Sequence, residues 1–247
     1  MFLDLCTVEN IRDLGGIKTK DDRIIKSKRL LRSSTLHQLS QEEFNKLKTE
    51  YNLKTVLDFR STKSAKNKLD AIDNSVCYEH IYVLDYLEDH GYTEDITVSP
   101  DEFFINIYRM LALSDRAIKA YRLFFDRLMN QKDGTILWHC TSGKDRTGIA
   151  TVLLLSALGC SKETIYEEHF LTNQITTPLL DQKMLEIDKD DEDKINYYEA
   201  YYIAKKKYID EYYKAIENKY GSIDKYLEYA IGLSSESINE LKTRYLK

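Results

Sequence analysis

Cys140 and Arg146 are separated by five residues in the run His139-Cys140-Thr141-Ser142-Gly143-Lys144-Asp145-Arg146-Thr147-Gly148. Brought together by a tight loop, a thiol and a guanidinium make a trap for a phosphoryl group. The sulfur supplies a nucleophile, and the planar fork matches two phosphoryl oxygens. Successive inward-turned N–H groups bind an anion, and a helix starting just after the loop adds positive potential from its N-terminus. Lys144 and Arg146 add two cationic side chains beside Cys140. Gly143 and Gly148 allow the close backbone approach that a phosphate needs. Thr141, Ser142, Gly143, Lys144 and Thr147 are therefore candidate substrate contacts, Thr147 also as a donor to the Cys140 sulfur. Three other readings compete. A structural thiol leaves the crowding of Lys144, Asp145 and Arg146 unexplained. A loop-cysteine sulfurtransferase and a phosphate-binding docking module without turnover both use similar loops. A nucleotide-binding loop fits poorly, because His139 stands where that motif needs Gly and Asp145 follows Lys144 where it needs Ser or Thr.

The elements around the run suit such a loop. Thr135–Trp138 is short, apolar and rich in strand formers, and Gly148–Leu158 is an apolar run of helical length, so the run is a strand–loop–helix junction. Ile24–Leu31, Thr55–Phe59 and Tyr78–Leu84 also read as strands. Ser40 with Glu43, and Ser99-Pro100-Asp101-Glu102, are helix-start signatures. The second predicts a helix to about Leu111, followed by another over Ala117–Met129. Gly159 closes the central helix and Ser161 caps the next. This alternation predicts an α/β fold with a mainly parallel sheet flanked by helices and a ligand site at the carboxyl ends of the strands. Cys140, Arg60 and Asp85 all fall there. Residues 178–247 read as helical. Tyr197, Tyr198, Tyr201, Tyr202, Tyr208, Tyr212 and Tyr213 form stripes that pack helices on the core, and Asp188–Asp193 reads as a solvated turn. The long connection 86–113 carries a capped helix and is a candidate lid over the site.

The loop resembles the Cys-x5-Arg motif of protein tyrosine and dual-specificity phosphatases. More narrowly, Cys-Thr-Ser-Gly-Lys-Asp-Arg-Thr-Gly is similar to the bacterial atypical tyrosine/lipid phosphatases, whose loop reads Cys-x3-Lys-Asp-Arg-Thr-Gly. Asn10-Ile11-Arg12-Asp13-Leu14-Gly15-Gly16 resembles that family's Asn-x-Arg-Asp-Leu-Gly-Gly. Leu31-Arg32-Ser33 with Leu36, and Val56-Leu57-Asp58-Phe59-Arg60-Ser61, match its later segments. So do Leu158-Gly159, Leu171-Thr172-Asn173, Tyr220-Gly221-Ser222 and Tyr226-Leu227. One departure is Thr62-Lys63-Ser64-Ala65, where the family usually carries an acid. The resemblance implies a protein tyrosine phosphatase-like fold of the dual-specificity type and a metal-independent reaction through phosphocysteine. It makes Cys140 the nucleophile, Arg146 the phosphate fork and Asp145 the general acid. Lys144 and Arg146 favour the Asp145 carboxylate over its acid form, which keeps Asp85 as the rival acid. His139 organises the loop, and Arg12, Asp13 and Arg32 form an ion-pair network behind it. Phosphotyrosine proteins are the leading substrates, with phosphoserine, phosphothreonine and phosphoinositides also in range, the last because lipid phosphatases place a lysine where Lys144 stands.

Composition sets outer bounds. With 247 residues and no Pro-, Gly- or Ser-rich linker, a single phosphatase domain over 1–247 is expected. The net charge of −5 gives no basis for nonspecific nucleic-acid binding. Ile149–Leu158 is too short to span a bilayer, and Met1–Asn10 lacks the features of a signal peptide. Cys6, Cys77, Cys140 and Cys160 have no metal or disulfide spacing, so no metal and no cofactor is expected. Dispersed thiols point to a reducing cytoplasm, with secretion into a host left open.

Overall fold

A computed structural model describes residues 1–84 and 98–247. The described residues form a five-stranded sheet of order β1-β2-β5-β3-β4, with β1 Arg12–Asp13, β2 Leu30–Ser33, β3 Leu53–Asp58, β4 Cys77–His80 and β5 Thr135–His139. Only β1 runs antiparallel to its neighbour; the other pairings are parallel. Central β5 is buried along its whole length, which is why it reads as a continuous apolar run. Its register places Ser33, Asp58 and His139 side by side at the strand ends, and Cys140 follows directly.

The two faces are covered unequally. Ile136 and Trp138 point into the larger core, against α4 Asp115–Asn130 and α5 Asp145–Leu158. Leu137, Leu31 and Val56 point the other way, onto Phe44 and Leu47 of α1 Gln41–Glu50. Every residue of α5 except Ser156 is buried, and Gly159 ends the helix in the left-handed region with φ 89°. A short α2 spans Thr62–Asn67, and α3 spans Pro100–Leu113. Beyond α5 lie α6 Lys162–Phe170, α7 Asn173–Met184, α8 Glu192–Tyr202 and α9 Lys206–Tyr220. A π-helical turn Tyr226–Ile231 and α10 Ser235–Tyr245 follow. No helix among the described residues is long and apolar enough to cross a membrane.

Ser40, Ser99 and Ser161 all accept from the backbone N–H three residues on. Glu43, expected to complete a capping box, instead turns its carboxylate to the N–H groups of Cys6 and Thr7 and ties down the N-terminal segment. Several boundaries differ from the sequence reading. The strand expected over Ile24–Leu31 begins only at Leu30, because Lys28 adopts φ 58° and its N–H bonds to Asp13. Ile24 and Ile25 instead make single bridges to Lys18 and Leu246. The strand expected over Tyr78–Leu84 stops at His80. The helix expected from Ala117 starts at Asp115, because Ser114 caps it. In the acidic run, Asp191 caps α8 by accepting from the Lys194 N–H. Of the candidate lid, residues 86–97 lie outside the described residues. Helix α3 is built into the core through Phe104, Ile107, Tyr108 and Leu111.

A buried ion triad ties the sheet edge to α6. Glu168 receives Arg12 Nε on one oxygen and Arg32 NH1 on the other, each at 2.7 Å, with all three side chains at most 4% exposed. Burial favours the neutral acid, but the two guanidiniums outweigh it and hold the Glu168 carboxyl below its ordinary value of 4.5. Glu168→Gln would leave two buried guanidiniums without a counter-charge, at a cost of about 3–5 kcal/mol. A group whose folded pKa is depressed contributes stability above its unfolded value and loses it as pH falls through the folded one. The gap between wild type and Glu168→Gln in urea denaturation is therefore expected to be full at neutral pH and to close in acid below 4.5. A gap independent of pH would show that the carboxylate's charge is not what matters.

Candidate active site

The loop from Cys140 to Arg146 joins β5 to α5, and the Cys140 side chain lies at its base, 2% exposed. Three consecutive loop carbonyls are held from outside. Thr35 N–H donates to Thr141 O at 3.0 Å, Asn10 Nδ2 to Ser142 O at 3.0 Å, and Arg32 NH2 to Gly143 O. In a trans peptide the C=O and the next N–H point in opposite directions. Fixing these carbonyls outward therefore turns the N–H groups of Ser142, Gly143 and Lys144 to the inner side of the loop. Gly143 is required here: its φ is 71°, and a Cβ would lie 2.5 Å from Ser33 O. Helix α5 then begins with Lys144 at its N-cap and no side-chain cap, so its first N–H groups are unblocked by protein.

Arg146 is buried and reaches across the loop mouth. Its NH1 donates to Phe59 O at 3.4 Å and its NH2 to Thr141 Oγ1 at 3.2 Å. Asp145 is 6% exposed and accepts the Tyr108 hydroxyl on Oδ1 at 2.8 Å. Burial, then Asp145, raises the Tyr108 pKa well above its ordinary value, so that hydroxyl remains a donor. Thr147 Oγ1 is buried and has no hydrogen-bond partner among the described residues, so the expected bond to the Cys140 sulfur is not formed in this structure.

Lys144 departs from the sequence reading. Its ammonium points away from the loop and donates to Ala200 O at 3.1 Å and Ile203 O at 3.4 Å, the C-terminal carbonyls of α8. It also lies over the Phe104 ring at 4.8 Å. Burial lowers its pKa, partly opposed by Asp145 at 3.7 Å. Lys144 thus latches the loop to α8, and only its backbone faces the loop interior.

Behind Cys140 stands a second buried network. His139 Nε2 is 3.0 Å from Asp70 Oδ2, and its Nδ1 is 3.1 Å from Cys140 O. Burial opposes the charged imidazolium, but Asp58 and Asp70 outweigh it and raise the His139 pKa. Arg60 pairs with Asp58 at 2.7 Å and Asp70 at 3.0 Å, and NH1 donates to Thr35 Oγ1 at 2.7 Å. Arg12 and Arg32 both pair with Glu168, and Arg32 also donates to Gly143 O, but Asp13 does not join them. Its carboxylate accepts from the N–H groups of Gly15 and Lys28 and holds a turn. Asp85, the rival acid, lies outside the described residues.

Sequence reasoning missed Glu168, Tyr108 and Asn10. Glu168 carried one signal: it shares a helical stripe with Ile165, His169 and Thr172, all buried. Of the tyrosines expected to pack on the core, four also border open space, and among these Tyr201 packs against the core as well. Tyr197, Tyr198, Tyr201 and Tyr202 are half-buried along a cleft of about 600 Å³ that opens beside Thr141. Tyr208, Tyr212 and Tyr213 do pack in the core.

Among solved structures, the chain aligns with the core catalytic domain of the PP-IP phosphatase SIW14 from S. cerevisiae, at 18% identity and a TM-score of 0.33, covering 77% of this chain and 92% of that one. A Cupriavidus necator protein, provisionally named a tyrosine-protein phosphatase, is 27% identical over 97% of this chain and 86% of its own length. A Nostoc commune tyrosine-protein phosphatase is 30% identical over 50% of this chain and 43% of its own length. The tyrosine phosphatase family matches residues 3–247, a span that takes in the loop from Cys140 to Arg146, and this chain belongs to that family.

Proposed function

We propose that this phosphatase hydrolyses phosphomonoesters through a phosphocysteine intermediate, without a metal, and acts chiefly on phosphotyrosine. The observation that carries the reading is the loop itself. Its carbonyls are held outward by Thr35, Asn10 and Arg32, its amides face inward over buried Cys140, and Arg146 spans its mouth. In the first step Cys140 Sγ bonds to phosphorus as the ester P–O bond breaks, and Asp145 gives its proton to the departing oxygen. In the second, water attacks phosphorus, Asp145 takes the water's proton, the S–P bond breaks and phosphate leaves. Arg146 and the loop amides stabilise the equatorial oxygens in both transition states. Because Tyr108 occupies Asp145 Oδ1, the transferable proton belongs on Oδ2, and the pair fixes its direction. Phosphotyrosine is favoured because the cleft beside the loop is lined by tyrosine rings. The engagement of Lys144 with α8 withdraws the loop lysine on which an inositol-phosphate preference would rest. Phosphoserine, phosphothreonine and phosphoinositides remain secondary substrates to assay.

Cys140→Ser is expected to abolish aryl phosphate hydrolysis while still binding the ester, and chelators should leave the wild type unaffected. Turnover by the serine variant within a few-fold of wild type would overturn the phosphocysteine route. Arg146→Lys keeps a charge but loses the planar fork, and kcat should fall about 100-fold or more. A rise in KM alone would reduce Arg146 to a docking charge. Asp145→Asn should slow phosphotyrosine strongly and an activated nitrophenyl phosphate weakly, because only the poor leaving group needs the proton. Tyr108→Phe should show the same leaving-group dependence in smaller measure. Equal losses on both substrates at Asp145, with the leaving-group effect found at Asp85→Asn, would make Asp85 the acid.

A further inference from the structure

The cleft beside the loop has a chemistry that phosphate capture does not use. One wall is α8, where Tyr197 and Tyr201, and Tyr198 and Tyr202, stand one helical turn apart and form adjacent rows on one face. The rings lean on one another, Tyr197 against Tyr201 at 6.0 Å and Tyr201 against Tyr202 at 5.2 Å. The wall is set at a fixed distance from Cys140, because Lys144 of the loop holds the carbonyls at the α8 C-terminus. Tyr201 also borders Thr141 and Ser142 of the loop, and burial, followed by neighbouring tyrosines, pushes its pKa up to about 12.

The opposite wall is basic in a chain whose net charge is −5. Arg60 lines it but is committed to Asp58 and Asp70; Lys183 stands on the tyrosine side, 5.2 Å over the Tyr198 ring, and is paired with Glu186 at 2.6 Å. Lys63 and Lys68 also line it, are exposed, and form no ion pair among the described residues. The aromatic wall suits a flat ring extending from the phosphate, and the two available ammonium groups suit a carboxylate placed beyond that ring. A polyphosphorylated headgroup would call for a denser set of cations and has no use for four tyrosines.

We propose that this cleft is a specificity site for phosphotyrosine segments with an acidic residue next to the phosphotyrosine. Tyr201 and Tyr197 contact the substrate's ring, and Lys63 and Lys68 contact the flanking carboxylate. This rests on the phosphotyrosine reading above and assigns selectivity to residues outside the loop.

The test compares kcat/KM, on the full chain, for phosphotyrosine peptides flanked by Glu or by Ala, for the matching phosphothreonine peptide, for a soluble short-chain phosphoinositide and for a nitrophenyl phosphate. The wild type should prefer the Glu-flanked over the Ala-flanked peptide by about fivefold, through KM, and added salt should erode that preference. Lys63→Glu/Lys68→Glu should abolish or invert the ratio. Because the ratio is taken within one enzyme, a general loss of active protein cancels. Tyr197→Leu should narrow the ratio of phosphotyrosine to phosphothreonine hydrolysis by about threefold or more. Nitrophenyl phosphate turnover with no flank preference, or a preference untouched by the lysine double variant, would overturn this proposal alone. A phosphoinositide rate above the peptide rate that collapses in the double variant would assign the cleft to a headgroup and overturn it as well. Failure to hydrolyse any phosphoester would remove the phosphatase mechanism and this proposal together.

Discussion

Arg32 donates to two acceptors at once, Glu168 Oε2 at 2.7 Å and the carbonyl of Gly143. One guanidinium therefore joins the ion triad to the loop that carries Cys140. The loop needs this because its useful conformation is unfavourable in isolation: several N–H dipoles must point at one spot, which repels them from one another until an anion arrives. External donors on the carbonyls stabilise that arrangement in advance. Arg32 supplies one such donor, Asn10 a second, and the backbone of Thr35 a third. All three come from the segment around β1 and β2, so the sheet edge, rather than the loop, sets the loop's shape.

The charges behind the loop follow the same logic. Arg12, Arg32 and Glu168 form one buried set, and Arg60, Asp58, Asp70 and His139 form another. The first set holds two guanidiniums on one carboxylate and so keeps net positive charge behind the loop, while the second sets Asp58 and Asp70 against Arg60 and His139. The register of β2, β5 and β3 brings the second set together, since it aligns Ser33, His139 and Asp58 across three strands. Once the sheet is paired, the position of Cys140 follows from the end of β5.

Lys144 illustrates how a motif residue can serve the scaffold. In the loop its charge suggests substrate contact, yet a buried ammonium needs acceptors, and α8 offers carbonyls at its C-terminus that carry partial negative charge. The latch links the loop to a helix more than fifty residues later and so carries the tyrosine wall to the mouth of the site.

The serine caps and the strand–loop–helix junction that carries Cys140 and Arg146 were legible in the sequence because each depends on neighbours within about one helical turn or one strand. The same holds for β5, whose apolar run marks a strand buried on both faces. What the tertiary structure alone decided were pairings across long separations: Arg12 to Glu168 spans 156 residues, Arg32 to Glu168 spans 136, and Tyr108 to Asp145 spans 37. Residue type states what a side chain can bind, whereas its partner depends on which elements the fold packs together. For that reason Asp13, expected in the brace, holds a turn instead, while Glu168 took the role unnoticed. Likewise the tyrosine spacing revealed stripes on helices, but which stripe meets the core and which lines a cleft was decided by how α8 and α9 dock against the loop and α3.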